Sequence, residues 1–151
     1  MLGELNKEQI FHVLHDQIVG RIGCYADEQI YIVPVTYIFN GSYIYFHSKD
    51  GKKLNMMRKN PSVCFQVDII DNLTNWRSIL IWGEFEEIIG EVNQQLALKK
   101  IYDRLMPFNL GESVMPLSGK LEEAPYLKRR FKPQAFRIKL QEMTGRYERG
   151  Q

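Results

Sequence analysis

The segment Tyr45–Lys53, with the sequence YFHSKDGKK, brings together side chains that can bind an anion. Lys52 and Lys53 open a short helical pattern, where cations oppose the partial positive charge of the helix N-terminus. An anion at that end reverses the penalty, because backbone N–H groups, the helix dipole and both ammonium groups converge on it. His47 and Ser48 end the preceding strand and add donors. The pattern predicts a site for a dianionic phosphate monoester; the alternative is two exposed lysines on a surface helix.

A predicted β-hairpin delivers this segment. Residues 18–48 are rich in β-branched and aromatic side chains and predict three consecutive strands. Their two turns are predicted at Asp27-Glu28 and Asn40-Gly41. Because an Asn-Gly pair between such runs is a strong short-range hairpin signal, we expect Gln29–Phe39 to pair antiparallel with Ser42–Ser48.

The remaining pattern predicts three helices and three further strands. The predicted elements are a helix over 7–16 opened by a capping box of Asn6 and Gln9, a two-turn helix from Lys52 to Asn60, strands at Val63–Asp68 and Ser78–Ile89, a polar loop at 71–75, a helix over 91–106, a long loop over 107–121, a short helical turn within 122–131 and a half-exposed final strand around Phe136–Leu140. Closure into a barrel would remove exposed strand edges. The sequence therefore predicts a mainly β fold with short helices (α+β), a six-stranded antiparallel barrel in a single domain over residues 1–151.

Composition excludes several classes of protein. The net charge is only +2, and no apolar run approaches the roughly 20 residues that span a bilayer. Cys24 and Cys64 form no metal-binding pattern and are expected to be buried thiols, which favours a cytoplasmic protein. His12 and His15 are three residues apart on a helix but lack a third ligand, so surface or interface histidines are favoured over a metal site.

Basic residues are concentrated at the C-terminal end of the sequence. From Lys128 onward, eight Lys and Arg face two Glu, a local net charge of +6. Such a tail can bind RNA or acidic lipid, but a solvated edge beside a subunit contact is the favoured interpretation. Nucleic acid is therefore not expected as a partner.

Two stretches of sequence resemble the pyridoxamine 5′-phosphate oxidase-like superfamily. They are GRIGCYADEQIYIVPVTYIFNGSYIYFHSKDGKKLNMMRKNPSVCFQVD and NWRSILIWGEFEEI. Within the superfamily, the similarity is to the flavin-binding branch that includes nitroimidazole-resistance proteins. It covers roughly residues 8–90 and, more loosely, the final strand.

The resemblance implies a split β-barrel that binds FMN as a homodimer with two sites at the subunit interface. It places the isoalloxazine ring along one strand, mainly in contact with backbone groups of Pro34, Val35, Thr36 and Tyr37. It places the phosphate at His47, Ser48, Lys52 and Lys53. It also places Trp76 and Ser78 near the flavin. Alternatives remain for Trp76, as a packed loop anchor, and for Thr36, as an ordinary strand residue. The sequence lacks the oxidase's C-terminal arginine motif and has Lys52 where the oxidase often carries Arg, which argues against pyridoxamine phosphate oxidation.

The function predicted on this basis is that of an FMN-dependent oxidoreductase. No hydrolytic motif is present, so the cofactor would carry the chemistry, and no catalytic residue is identified. The acceptor is expected to be a small molecule, with nitroaromatic compounds such as 5-nitroimidazoles as candidates and NAD(P)H as a candidate donor. The alternatives are a non-catalytic flavin-binding or stress-response module, a haem-binding relative and an RNA-binding protein that uses Arg129 and Arg130.

Overall fold

A computed structural model describes residues 1–108 and 133–150. The elements, in chain order, are β1 (Leu2–Glu4), α1 (Lys7–Asp16), β2 (Val19–Ala26), β3 (Gln29–Phe39), β4 (Tyr43–Ser48), α2 (Lys52–Lys59), β5 (Ser62–Asn72), β6 (Asn75–Glu87), α3 (Glu91–Leu105) and β7 (Gln134–Arg149). The helical turn predicted within 122–131, most of the 107–121 loop, and both Arg129 and Arg130 lie outside the described residues.

The strands close into a ring. The sheet order is β1-β7-β4-β3-β2-β5-β6, and β7 also pairs with β6, so six strands form an antiparallel barrel. The predicted six-stranded barrel is confirmed. The short strand β1, which the sequence pattern missed, pairs with β7 outside the ring.

Both predicted turns of the β2–β3–β4 meander are present. Asp27 and Glu28 adopt positive φ angles of 50° and 61°, as a tight two-residue turn requires. At the next turn only Gly41 has a positive φ, of 99°. Asn40 instead stabilises the turn through its side chain, whose Oδ1 accepts hydrogen bonds from the backbone N–H groups of Ser42 and Tyr43 at 3.0 and 2.8 Å.

The polar loop predicted at 71–75 is a tight turn between longer strands. Strand β5 continues to Asn72 and β6 begins at Asn75, three residues before the predicted start. The side chain of Asn72 accepts hydrogen bonds from the backbone N–H and the hydroxyl of Thr74, so the polar residues stabilise the turn. Strand β7 has 16 residues, because it pairs with β6 along one edge and with β4 and then β1 along the other.

The three predicted helices are present and close different parts of the barrel. Helix α1 begins with the predicted capping box of Asn6 and Gln9. Helix α2 packs mainly against β2, and α3 covers the outer face of β3, β4 and β7. Buried side chains fill the barrel, with a second apolar cluster under α3. No helix in the described part of the chain is long and apolar enough to span a membrane.

Candidate functional site

The barrel is split between β3 and β4. Strand β3 pairs with β2 from Gln29 to Thr36 but with β4 only from Tyr37 to Phe39. Beyond Phe46, β4 continues in register with β7 alone. In residues 1–108 and 133–150, no strand pairs with residues 29–36 of β3 on the edge opposite β2. The gap between this free edge of β3 and the end of β4 at His47 is called the split from here on.

Backbone groups of β3 face the split. The N–H of Tyr37 donates to the carbonyl of Ile18 at 3.0 Å, on the β2 side. Since successive residues of a strand direct their backbone groups to opposite edges, Thr36 and Pro34 direct theirs toward the split. Pro34, which has no backbone N–H, therefore faces the unpaired edge of β3, so the sheet loses no hydrogen bond. The split is lined by strand carbonyls and by the N–H of Thr36.

The N-terminus of α2 lies at the end of β4. Its N-cap residue is Gly51, which has no side chain to cap the helix, and the first turn contains no acidic residue. Gly51 is extended, with φ of 176°, so the backbone does not require glycine there. Among the described residues, no atom outside its chain neighbours lies within 4 Å of the position that a Cβ would occupy. Open space therefore adjoins the N-cap residue, which supplies no side-chain acceptor to the first-turn N–H groups.

The two lysines at this helix start have different surroundings. The Nζ atom of Lys52 lies 4.9 Å from the ring centroid of Tyr31. Lys53 is half-buried, and burial lowers its pKa, while the nearby Cys24 thiol acts in the opposite direction. Lys53 is thus the inner cation of the pair and Lys52 the outer one.

His47 lies on the last residues of β4 and packs against α3. Its ring lies 5.3 Å from the ring of Tyr102, and its buried Nδ1 atom has no hydrogen-bond partner in the described residues. Burial, with the charge of Lys53, lowers the pKa of His47 to about 4, so the imidazole is neutral at neutral pH. A buried ring nitrogen without a partner is costly. It fits a site in which a ligand supplies the missing hydrogen bond.

Ser48 and Tyr37 have their hydroxyl hydrogens engaged elsewhere. Ser48 is buried, and its Oγ donates to the carbonyl of Lys49 at 2.8 Å. Tyr37 is fully buried and donates its hydroxyl hydrogen to the carbonyl of Leu14 at 2.8 Å. Burial raises the pKa of Tyr37, so it remains a neutral donor. A contribution of Ser48 to an anion site requires its hydroxyl to rotate, and the Tyr37 side chain belongs to the core.

Val35 and Thr36 complete the predicted strand segment. Both are half-buried, and Val35 packs against the barrel core. The alternation along β3 places the side chain of Thr36 on the outer face of the sheet, with that of Pro34. What this segment offers at the split is therefore mainly backbone, as the resemblance implies.

Trp76 and Ser78 lie on β6, away from the split. Strands β2 and β5 separate β6 from β3, a distance of roughly 14 Å at the usual strand spacing. Trp76 donates its indole N–H to Glu148 at 3.1 Å, and Ser78 Oγ accepts from Gln66 at 3.2 Å. Within one chain, these two residues do not join the other predicted site residues.

Three residues beside the candidate site were not identified from the sequence. Tyr31 lies under Lys52, Tyr102 contacts His47, and Arg58 pairs with Asp50, directly before the N-cap. Tyr102 belongs to the apolar stripe of α3 and resembles a core residue in sequence. Tyr31 and Arg58 carry no sequence signal, because tertiary packing alone creates their contacts.

The cysteines and the other histidines give no competing site. Cys24 is buried, and burial raises the pKa of its thiol, whereas Cys64 is only half-buried, which corrects the expectation that both are buried. His12 and His15 are exposed, and in the described residues no three His, Cys, Asp or Glu side chains cluster as metal ligands. One cavity of about 460 Å³ lies beside α3 and is lined in part by Ile38 and Tyr45, and another of about 380 Å³ lies beside Trp76; neither lining includes His47 or Lys53.

Known proteins share both this fold and parts of this sequence. An uncharacterized protein of Rhizobium meliloti (strain 1021) is 32% identical over 84 residues, a stretch that covers 56% of this chain and 56% of the relative. A FAD-binding protein of Mesorhizobium loti superposes with a TM-score of 0.78 at 25% identity, covering 99% of this chain and 98% of the other. A proposed 5-nitroimidazole antibiotic resistance protein of Bacteroides thetaiotaomicron has a TM-score of 0.72 at 17% identity, over 97% and 87% of the two chains.

The match to a protein family covers almost the whole sequence. The family model described as pyridoxamine 5′-phosphate oxidase matches residues 6–147. This range runs from the N-cap of α1 to near the end of β7 and includes the split, the start of α2 and β6. The chain therefore belongs to the pyridoxamine 5′-phosphate oxidase family.

Proposed function

We propose that this protein binds FMN in the split and acts as a flavin-dependent oxidoreductase. The observation that carries the proposal is the start of α2, where the N-cap residue is a glycine with open space beside it and Lys53 is half-buried, together with the buried Nδ1 of His47, which has no hydrogen-bond partner in the described residues. That arrangement suits a phosphate monoester. The ring system of the flavin would then lie along the free edge of β3.

The residues of the split have defined tasks in this proposal. Lys52, Lys53 and the first-turn N–H groups of α2 hold the phosphate. Thr36 and Pro34 present backbone groups to the polar edge of the ring. His47 is neutral and can share one proton with the ligand, as donor or acceptor. Bound FMN would supply hydride and electron-transfer chemistry, and the protein would orient it and limit access of water.

The first test is to identify the cofactor. Purified protein should show flavin absorption in the visible range, and heat-released ligand should have the mass of FMN. Titration of the apoprotein should give the order FMN, then riboflavin, in decreasing affinity. A colourless protein that takes up neither compound would exclude the proposal, whereas Soret absorption would indicate the haem-binding alternative.

The choice between FMN and FAD depends on the phosphate. FMN ends in a dianionic monoester, whereas the two phosphates of FAD are bridged and each carries about one negative charge. Two lysines at an uncapped helix start favour the more concentrated charge. Since the Mesorhizobium loti relative is a FAD-binding protein, FAD is the competitor to titrate, and tighter binding of FAD would overturn the assignment of FMN.

A homodimer is part of the proposal. The outer face of β3, β2, β5 and β6 exposes large apolar side chains, namely Ile30, Ile32, Val19, Tyr25, Ile70 and Trp82. An extended apolar face of this kind is typical of a protein interface. A second copy on this face would bring its own Trp76 and Ser78 toward the flavin, which the distance within one chain does not allow.

The dimer is tested by hydrodynamic mass. Light scattering on wild-type protein should give twice the mass of the chain, 17.8 kDa. Ile32→Lys, on the apolar face, should give monomers and weaken FMN. Lys99→Glu, on the exposed side of α3, is the matched control and should remain dimeric. A wild-type monomer that binds FMN fully would separate cofactor binding from dimerisation.

Turnover is a separate question from binding. Under anaerobic conditions, NAD(P)H should reduce the bound flavin, and a nitroaromatic compound such as a 5-nitroimidazole should reoxidise it. If the flavin stays oxidised with NADH and NADPH but is reduced by dithionite, the electron donor of this protein is neither NADH nor NADPH. If no small acceptor reoxidises the reduced flavin, the protein would instead be a non-catalytic flavin-binding or stress-response module.

A further inference from the structure

Arg58 connects the loop before α2 to the barrel. Its Nη1 atom lies 3.2 Å from Oδ1 of Asp50, and its Nε atom lies 2.7 Å from Oε1 of Glu87 at the end of β6. The guanidinium group also lies 6.0 Å from the ring centroid of Phe136 on β7. One side chain of α2 thus contacts the loop that leads to its own N-cap and two strands of the ring.

The position of Asp50 makes this contact relevant to anion binding. Asp50 directly precedes Gly51, the N-cap of α2, and its side chain is 69% exposed. A carboxylate so near the helix start would repel a phosphate that binds there. The site therefore contains a negative charge that opposes its ligand unless a cation compensates for it.

Stability alone is a poor explanation for the Arg58–Asp50 pair. The side chains of Arg58 and Asp50 are 37% and 69% exposed, and ion pairs of this kind contribute little to folding. Lys59 on the same helix forms a comparable exposed pair with Asp27 at 2.6 Å, at the far end of α2. The Arg58–Asp50 and Lys59–Asp27 pairs differ in position, because only Asp50 lies next to the start of α2.

We infer that Arg58 is a positioning residue that neutralises Asp50 and holds it in place, which allows a phosphate monoester to bind at the N-terminus of α2. This inference rests on the proposed function, because it concerns the phosphate of the same cofactor. Arg58 does not have to touch the phosphate. It acts through Asp50, and its role ends if that carboxylate is removed.

The experiment compares FMN with riboflavin, which lacks the phosphate, in apoprotein variants. Arg58→Gln should reduce the preference for FMN over riboflavin about fivefold, the effect of roughly 1 kcal/mol. Adding Asp50→Asn to Arg58→Gln should restore the preference to within about twofold of wild type. If Arg58 had only a structural role, adding Asp50→Asn to Arg58→Gln would not restore the preference for FMN.

Two further variants serve as matched controls. Glu87→Gln removes the other ion pair of Arg58 but keeps Asp50 neutralised, and Lys59→Gln removes an exposed cation from the same helix. Both should retain the wild-type preference for FMN. Thermal unfolding of every variant shows that the protein is folded.

The possible failures are distinguishable. Equal weakening of FMN and riboflavin by Arg58→Gln, or no rescue by Asp50→Asn, would overturn the role of Arg58 and leave FMN binding intact. An equal loss in Glu87→Gln would mean that anchoring, and not charge neutralisation, is what matters. If wild-type protein binds no flavin, the proposed function fails and this inference fails with it.

Discussion

The N-termini of α1 and α2 differ in how the N–H groups of the first turn can find hydrogen-bond acceptors. At α1, the side chain of Asn6 accepts from the backbone N–H of Gln9 at 2.9 Å, and the side-chain oxygen of Gln9 accepts from the backbone N–H of Asn6 at 2.8 Å. Glu8 adds a negative charge to the first turn. At α2, the N-cap residue is a glycine, which has no side chain to cap the helix, and two lysines follow it.

The difference separates a structural helix start from one suited to a ligand. The backbone N–H groups of a first turn need acceptors, and α1 obtains them from its own sequence. At α2, neither the N-cap residue nor the first turn supplies a side-chain carboxylate, and the first turn adds cations, which is unfavourable unless an anion is present. We therefore expect stability at α1 to be independent of cofactor and stability at α2 to depend on it. The following predictions test that contrast, from the largest expected effect to the smallest.

Removal of both lysines should have the largest effect. Lys52→Gln with Lys53→Gln should weaken FMN about 100-fold, a total of roughly 2.7 kcal/mol for the two charged contacts, and riboflavin by less than about threefold. Lys53→Gln should account for most of the loss, because Lys53 is the inner cation. Equal weakening of both flavins, measured by fluorescence titration, would mean that the lysines do not hold the phosphate.

A cap added to α2 should convert it into a helix start like that of α1. Gly51→Asp should stabilise the apoprotein by about 0.5–1 kcal/mol, because the carboxylate can cap the first turn. It should also weaken FMN about 30-fold through charge repulsion and lost space. Gly51→Ala, which adds only a methyl group, is the control for space. Tight FMN binding by Gly51→Asp would show that the phosphate is held elsewhere.

Acid should destabilise the apoprotein through His47. Its pKa is about 4 when folded and near 6.5 when unfolded. The unfolded chain therefore binds more protons between these values, and stability falls as the pH drops from about 6.5 toward 4. Between pH 7 and 5, wild type should lose about 1–2 kcal/mol more than His47→Gln in urea unfolding. Parallel losses would show that His47 is not buried and neutral. Bound FMN should reduce the difference, because the phosphate favours protonation.

Loss of the α1 cap should have the smallest effect and no effect on the cofactor. Asn6→Ala should reduce the free energy of unfolding by about 1 kcal/mol, with or without FMN. Its Kd for FMN should equal that of wild type within error. A change in FMN affinity comparable to that of the lysine variants would remove the distinction between the two helix starts.

Local features of the sequence predicted local structure well. The Asn40-Gly41 turn and the α1 capping box depend on residues within three positions of each other, and both are present. The Tyr45–Lys53 segment likewise appears as strand, turn and helix start. These predictions succeeded because their physical cause lies in neighbouring residues.

The features that sequence could not predict come from distant pairing. The split exists because β4 leaves β3 after Phe46 and follows β7, some 90 residues later, as the His47–Ala135 pair shows. The Arg58–Glu87 contact and the position of Tyr102 against His47 likewise depend on how elements pack. The separation of Trp76 from the split follows from strand order, which no local pattern determines.

The double pairing of β7 has a consequence for how the chain folds. Residues 134–149 supply the pairing edge for both β4 and β6, so the ring remains open until this last strand has been synthesised. Contacts this distant in sequence slow folding. A nascent chain would meanwhile present the edges of β4 and β6 unpaired, in addition to the free edge of β3, and other chains can pair with them. Chaperone dependence should therefore be greatest just before translation of β7 is complete.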